Sequence, residues 1–248
     1  MFLAPIERNR AGLGDVLAVY TAAADWRLAQ LVGQDDSYSA SAARDARRHA
    51  DTVLDRAVGI HRADPAVLAD LCAAPTIPYA GFEHAVSELL EMGGATLGAL
   101  SVLSAMLWAR VRTVASTGGL HALRFPTTAE MEPRVGALGD EYWPAYAVKL
   151  ERWNAARDKL TALRWPDDEF EALLASPEQL VAALRAARAP VRLTQLGVRD
   201  ATARWALAHA HLMSERFTVA DLAFFMGIWD EPDVDALLVS AARLGAGL

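Results

Sequence analysis

A short acidic segment with one histidine holds the chain's densest group of candidate catalytic side chains. Glu83 and His84 are adjacent, and Glu88 and Glu91 follow them. His84 and Glu88 are four residues apart, so they share one face of a helix, and Glu91 lies one further turn along on the same side. An imidazole beside carboxylates can move protons as a general acid and base. The candidate catalytic residues are therefore His84, Glu83 and Glu88.

The same residues could also bind a metal ion together with a carboxylate from a distant segment. Asp15 follows a Gly-Leu-Gly step at the start of a long apolar segment. Asp15, His84, Glu88 and Glu91 supply imidazole and carboxylate donors, a combination that suits zinc, iron or manganese. His121, in the segment "GGLHALRF", is a further candidate donor from a loop. The sequence thus predicts a divalent metal site with Asp15, His84, Glu88 and Glu91 as its candidate ligands.

Purely structural roles remain open for each of these side chains. Asp15 follows Gly14 and has the character of a helix N-cap, whose carboxylate would accept from backbone N–H groups. Glu83 and Glu88 could form a solvated helix face, and His84 could be a buried histidine with satisfied nitrogens.

The elements that must position these residues are all helical. From Asp15 to Leu31 apolar residues recur at steps of three and four, which predicts an amphipathic helix ended by Gly33. Cap and proline signals predict the other helices. They cover about 40–60, a stretch from Asp64-Pro65, one from Ala80, 95–115, 127–138, 144–163, 167–174, 177–188, 199–214, 218–227 and 231–244.

The sequence lacks the patterns of a nucleotide-binding α/β domain. There is no alternating or continuous β-branched run, no G-x-G-x-x-G step after a strand and no P-loop. We therefore expect an all-α protein, a compact multi-helix bundle over residues 1–248 as one domain. A weak seam lies near 116–145, where glycine and proline accumulate.

Composition narrows the choice of partners and location. The net charge of −7 argues against binding to nucleic acid or an anionic membrane, which requires a basic face. The apolar stretch 95–114 is interrupted by Ser, Thr and two Arg, so a buried central helix is expected there. The single cysteine, Cys72, excludes an intrachain disulfide and is expected to be a small apolar filler. No signal peptide is evident, and a cytoplasmic protein is expected.

Three segments carry a resemblance to a known superfamily. They are "AGLGDVLAVYTAAADWRLA" (11–29), "TIPYAGFEHAVSELLE" (76–91) and "APVRLTQLGV…AHAHLMSERFTVADLAFFMG" (189–227). In order and spacing they resemble the C-terminal helical domain of sn-glycerol-1-phosphate dehydrogenases, relatives of iron-containing alcohol dehydrogenases and 3-dehydroquinate synthase. The similarity runs from about Ala4 to Gly227. It implies that the N-terminal dinucleotide-binding domain of that superfamily is missing here, so NAD(P) would bind only through a separate subunit.

The resemblance also implies which metal ligands are present and which are lost. By matching motifs, Asp15 and His84 are the first two ligands of the superfamily's metal. Gly93 stands where the third ligand, a histidine, belongs, and Ala95 replaces the glutamate of the same motif. Ile77 replaces an arginine of the Ser-Arg-Pro step, a natural phosphate contact. The site is therefore expected to be degenerate.

Two classes of function follow from these observations. The first is an enzyme acting on a small polar or phosphorylated metabolite. It would be either the substrate-side subunit of a split NAD(P)-dependent dehydrogenase or a repurposed cofactor-independent lyase, isomerase or cyclase. The second is a non-catalytic pseudoenzyme, a scaffold or interaction subunit. The expected partners are a second copy of the chain in a homo-oligomer or a separately encoded nucleotide-binding subunit. An autonomous NAD-dependent dehydrogenase is not expected.

Overall fold

The computed structural model describes residues 5–118, 120 and 122–248, so the candidate donor His121 lies outside the described residues. The described residues form α-helices and short 3-10 helices without a β-sheet, and the all-α prediction is confirmed. The α-helices are α1 (Ile6–Leu31), α2 (Ala40–Asp55), α3 (Val58–His61), α4 (Pro65–Cys72), α5 (Phe82–Leu89), α6 (Leu97–Gly118), α7 (Thr128–Gly136), α8 (Trp143–Ala155), α9 (Arg157–Thr161), α10 (Asp167–Leu173), α11 (Pro177–Ala186), α12 (Asp200–His209), α13 (Val219–Phe225) and α14 (Glu231–Arg243).

Helices α1 and α6 form the centre of the bundle and cross at two glycines. A Cβ atom added to Gly14 would lie 2.7 Å from the backbone nitrogen of Gly98, far inside van der Waals contact. Two glycines at the crossing therefore let the two helix backbones approach closely. Close packing of α1 against α6 therefore explains the glycine that precedes Asp15 in the sequence "GLGD".

The first helix begins earlier than its sequence pattern predicts. Helix α1 starts at Ile6 after Pro5, so Asp15 lies inside the helix and is not an N-cap. The prediction was wrong because Gly14 was taken for a helix boundary, whereas it serves the contact with α6. An aspartate inside a helix has no capping role to explain it.

Helix α6 is the core helix that its apolar sequence predicts. With the 3-10 turn before it, the segment Gly93–Gly118 is long and apolar enough to cross a membrane, at a mean hydropathy of 1.3. However, 72% of that apolar window is buried inside the protein. This is the burial expected of a central helix in a packed bundle.

Other helix predictions agree in type and differ at their ends. The predicted helix 40–60 is two helices, α2 and α3, and the helix predicted over 144–163 is α8 followed by α9. Asp64 caps α4 as expected, accepting from the backbone nitrogens of Ala66 and Val67. Cys72 is exposed, which contradicts its predicted role as a core filler, because it is the last residue of α4. Residues of the weak seam, Met131 and Val135, are buried in the main hydrophobic core.

Candidate functional site

A cavity of about 600 Å³ opens beside the middle of α1. Asp15 from α1, His84 from α5 and Arg216 from the segment before α13 all line it. The rest of the wall is the loop 74–80 and small or apolar residues of α1. Helix α1 therefore brings one sequence-predicted carboxylate to the same cavity as the predicted histidine.

Two prolines and a tyrosine within the loop 74–80 fix its conformation and position. Pro75 and Pro78 prevent helix formation between α4 and α5, and α5 then begins at Phe82 after Gly81. Tyr79, which is buried, donates a hydrogen bond of 2.5 Å from its hydroxyl to the backbone oxygen of Phe217. This bond ties the loop to the segment that carries Arg216.

His84 sits between a buried carboxylate and the cavity. Its Nδ1 lies 3.4 Å from Oε1 of Glu83, which is longer than an ordinary hydrogen bond. The Glu83 side chain is fully buried, whereas that of His84 is 40% exposed. Nδ1 and both carboxylate oxygens of Glu83 are buried without a hydrogen-bond partner among the described residues, so Glu83 acts on this nitrogen through its charge, and Nε2 is the ring nitrogen left for the cavity.

The charges around the cavity shift the pKa values of both predicted site residues. Burial alone would lower the pKa of His84, but the adjacent Glu83 and, more weakly, Asp15 raise it above its ordinary value. Arg216 offsets part of this rise. Burial raises the pKa of Asp15, and the positive charge of His84 opposes that rise. The imidazole and the carboxylate therefore influence each other electrostatically across the cavity.

A smaller cavity of about 300 Å³ adjoins the first one. His84 and Arg216 line both cavities, and Glu88, Ser214 and Thr218 line only the smaller of them. Asp15 and Glu88 thus lie on different sides of His84. Glu91 lies beyond the end of α5 with a left-handed backbone (φ 54°), so the prediction that it continues the helix face was wrong. The chain has left the helix before it reaches Glu91.

The predicted metal ligands do not meet as a set. Among residues 5–118, 120 and 122–248, no group of three or more His, Cys, Asp and Glu side chains is arranged to hold a metal ion. The donor set Asp15, His84, Glu88 and Glu91 therefore does not fit a three-ligand centre in this structure.

Asp25 stabilises the two helices next to the cavity, and the sequence analysis did not identify it. Its fully buried carboxylate accepts hydrogen bonds from the backbone nitrogens of Phe82 and Val219, each 2.9 Å, and from Trp108 Nε1 at 3.0 Å. Phe82 and Val219 are the first residues of α5 and α13. One carboxylate thus holds the N-terminal ends of both helices that flank the cavity. Burial and the charge of Glu83 raise the pKa of Asp25 well above its ordinary value.

Lys149 is a second buried support that the sequence reasoning missed. Its Nζ lies 2.7 Å from Oδ1 of Asp221 and donates to the backbone oxygens of His211 at 2.5 Å and Arg216 at 3.2 Å. Burial lowers the pKa of Lys149 and raises that of Asp221. This pair fixes the backbone from which the Arg216 side chain reaches the cavity. A signal for both supports was present in the sequence, since Asp25 and Lys149 interrupt apolar helix faces.

Comparison with known proteins gives no family for the chain. No protein-family model and no curated protein sequence matches it. The resemblance drawn from residues 11–29, 76–91 and 189–227 therefore stays a prediction.

Proposed function

We propose that the chain is an enzyme that performs cofactor-independent acid–base chemistry on a small polar or phosphorylated metabolite. The reaction would be a lyase, isomerase or cyclase reaction in the cavity lined by Asp15, His84 and Arg216. The observation that carries this proposal is the position of His84, whose ring lines two adjoining cavities while a buried glutamate faces its Nδ1.

His84 has the environment of a proton-transfer group. Its pKa is raised above its ordinary value by the charges of Glu83 and Asp15, so the carboxylates favour the protonated imidazolium that forms when His84 acts as a base. In the proposed step, His84 Nε2 removes a proton from the carbon next to a substrate carbonyl. The electron pair moves to the carbonyl oxygen. In an elimination the pair then returns to form the C=C bond, and the leaving hydroxyl takes the proton of the imidazolium and departs as water. In an isomerisation the hydroxyl proton of the first carbon moves to the former carbonyl oxygen, a new carbonyl forms at the first carbon, and the imidazolium returns its proton to the neighbouring carbon. Glu83 stabilises the imidazolium formed in between.

Arg216 supplies the charge that would bind such a substrate. Among the residues that the structure describes, its guanidinium forms no ion pair. An unpaired guanidinium beside the imidazole can bind a carboxylate or phosphate and the oxygen on which negative charge develops. Asp15, which lines the same cavity, would accept a hydrogen bond from a substrate hydroxyl.

Hydrogen exchange tests this proposal without knowledge of the substrate. Each of the proposed reactions begins with loss of a C–H proton, so a true substrate gains deuterium in D₂O. The probes are dihydroxyacetone phosphate and a panel of small 2-oxo acids and their phosphorylated analogues, followed by proton NMR. We expect exchange on at least one probe and a loss of about 10²- to 10⁴-fold in His84→Gln.

His49 provides a matched control for this experiment. Its Nε2 lies 2.8 Å from the backbone oxygen of Asp70, away from the cavity, so His49→Gln should retain the exchange rate. Exchange that is equally fast in His84→Gln, or absent for every probe, would contradict the proposal.

A non-catalytic role is the second candidate. It is supported by Ile77, Gly93 and Ala95, which by the resemblance replace an arginine, a histidine and a glutamate of the superfamily's site. In that case the chain would act as an interaction subunit, either in a homo-oligomer or with a separate nucleotide-binding subunit. Co-purification from the native host distinguishes these roles, because the acid–base enzyme requires no nucleotide-binding partner. Under either proposal we expect a cytoplasmic protein.

A further inference from the structure

A second cavity, of about 470 Å³, lies between α7, the end of α12 and the start of α14. Its lining includes Arg134, His211, Phe224, Trp229 and Glu231. None of these residues lines the 600 Å³ cavity beside α1, and of them only His211 also lines the 300 Å³ cavity next to it. The volume is within the usual range of small-molecule binding pockets, about 300–1,000 Å³.

Phe224 lies between a cation and an imidazole on one wall of this cavity. The guanidinium carbon of Arg134 lies 5.5 Å from the ring centre of Phe224. The imidazole of His211 is a further neighbour of Phe224, with ring centres 4.9 Å apart and ring planes tilted by 35°. The guanidinium of Arg134 is therefore held at this wall by a cation–π contact.

The cavity also carries two opposite charges that do not pair with each other. In the described part of the chain, neither Arg134 nor Glu231 takes part in an ion pair. The other carboxylate of the lining, Asp230, is engaged as the N-cap of α14, where it accepts from the backbone nitrogen of Asp233. The guanidinium of Arg134 and the carboxylate of Glu231 are thus both available to bind a ligand in this cavity.

The interior of the cavity contains buried polar atoms without partners. Both ring nitrogens of His211 and Nε1 of Trp229 are buried and lack a hydrogen-bond partner among the described residues. The side chains of His211 and Trp229 are only 5% and 3% exposed. Burial, together with the charge of Lys149, lowers the pKa of His211 well below its usual value, so the ring is neutral and can both donate and accept. Unsatisfied buried groups of this kind are rare and call for a physical explanation.

We propose that this cavity binds a small zwitterion, an α-amino acid with an apolar or aromatic side chain. The ligand carboxylate binds Arg134, its ammonium group binds Glu231, and its side chain packs against Phe224 and Trp229. A zwitterion satisfies both unpaired charges at once, which a simple anion or cation does not.

NMR titration of the Trp229 indole N–H signal tests the proposal. The signal is assigned by its loss in Trp229→Phe, and the probes are L-phenylalanine and L-leucine. We expect at least one of them to shift the signal saturably. N-acetyl-L-phenylalanine lacks the ammonium group and phenethylamine lacks the carboxylate, so each should bind at least about tenfold more weakly than L-phenylalanine.

Variants at the two charges separate recognition from folding. Arg134→Gln and Glu231→Gln should each weaken binding about tenfold or more, with little change in melting temperature. The matched controls Arg199→Gln and Glu178→Gln, at exposed positions outside the lining, should leave affinity unchanged. His84→Gln should also retain binding, which makes this result independent of the proposed enzymatic activity. No saturable shift, equal binding of the single-charge analogues, or full affinity in both charge variants would overturn the proposal.

Discussion

The carboxylate of Asp25 accepts a hydrogen bond of 2.9 Å from the backbone nitrogen of Val219, 194 residues further along the chain. The same carboxylate accepts from Phe82, so it joins α1 to the first residues of α5 and α13. These are the helices that carry or adjoin His84 and Arg216. The long-range bond therefore links the stability of the bundle directly to the shape of the candidate site.

Replacing Asp25 should destabilise the protein by an amount that depends on the replacement. Asp25→Ala leaves three buried donors without an acceptor, so we expect a loss of about 3 kcal/mol or more in the free energy of unfolding. Asp25→Asn retains one acceptor oxygen and should cost less, about 1–3 kcal/mol. Chemical denaturation followed by circular dichroism measures both. Equal losses in the two variants would show that the hydrogen bonds are not what the carboxylate contributes.

The pKa of His84, measured by titration, should depend on the charges of Glu83 and Asp15. We expect an NMR midpoint above 6.5 in the wild type and a lower one in Glu83→Gln, because Glu83 raises the pKa of His84 most. Asp15→Asn should lower it by less. Since the folded-state pKa is the higher one, the stabilisation from charged His84 is fully present below the unfolded pKa. It is lost as pH rises through the folded pKa. A midpoint that Glu83→Gln leaves unchanged would refute this electrostatic description.

The glycine crossing of α1 and α6 can be tested by adding one methyl group. Gly14→Ala places a Cβ 2.7 Å from the Gly98 nitrogen, and the resulting shift of the helices should cost about 1–3 kcal/mol. Gly118→Ala is the matched control, because its Cβ would meet nothing within 4 Å. That variant should be neutral or stabilised by up to about 1 kcal/mol, since alanine restricts the unfolded chain. Thermal and denaturant unfolding would measure both. A neutral Gly14→Ala would mean that the helices separate without cost.

The pair of Lys149 and Asp221 should show a strong coupling. Lys149→Met leaves a buried carboxylate and two backbone oxygens without their donor, so we expect a loss of about 3–5 kcal/mol. Adding Asp221→Asn removes the uncompensated charge and should recover part of that loss. A double-mutant cycle in denaturant measures the coupling. Strictly additive losses would contradict the buried ion pair.

Much of the helical architecture could be predicted from the sequence, because apolar spacing and cap residues are local signals. Asp64 and Pro65, for example, define the start of α4 by themselves. Gly14 shows where such local signals fail. In the sequence alone, a glycine that allows close contact with a distant helix cannot be distinguished from a glycine at a helix boundary. The start of α1 was therefore misplaced.

The site was only partly predictable for a related reason. His84 and Asp15 could be singled out by residue type, and the structure brings them to one cavity. Asp25 and Lys149 act through contacts with backbone atoms far away in the chain, and Asp221 through its ion pair with Lys149, so the sequence does not show which groups they contact. Polar residues that interrupt an apolar helix face are the signal by which such supports could be found.

The shared anchor at Asp25 has a consequence for genetic experiments on this protein. In a random-mutagenesis screen scored by loss of function, position 25 would rank with true ligand contacts, although its carboxylate lies fully enclosed beneath them. A ranking by loss of function alone would therefore count buried structural residues as part of the active site. Screening for protein abundance in parallel with activity would separate the two groups. Substitution of a buried anchor reduces the amount of folded protein, whereas substitution of a residue that only contacts the ligand does not.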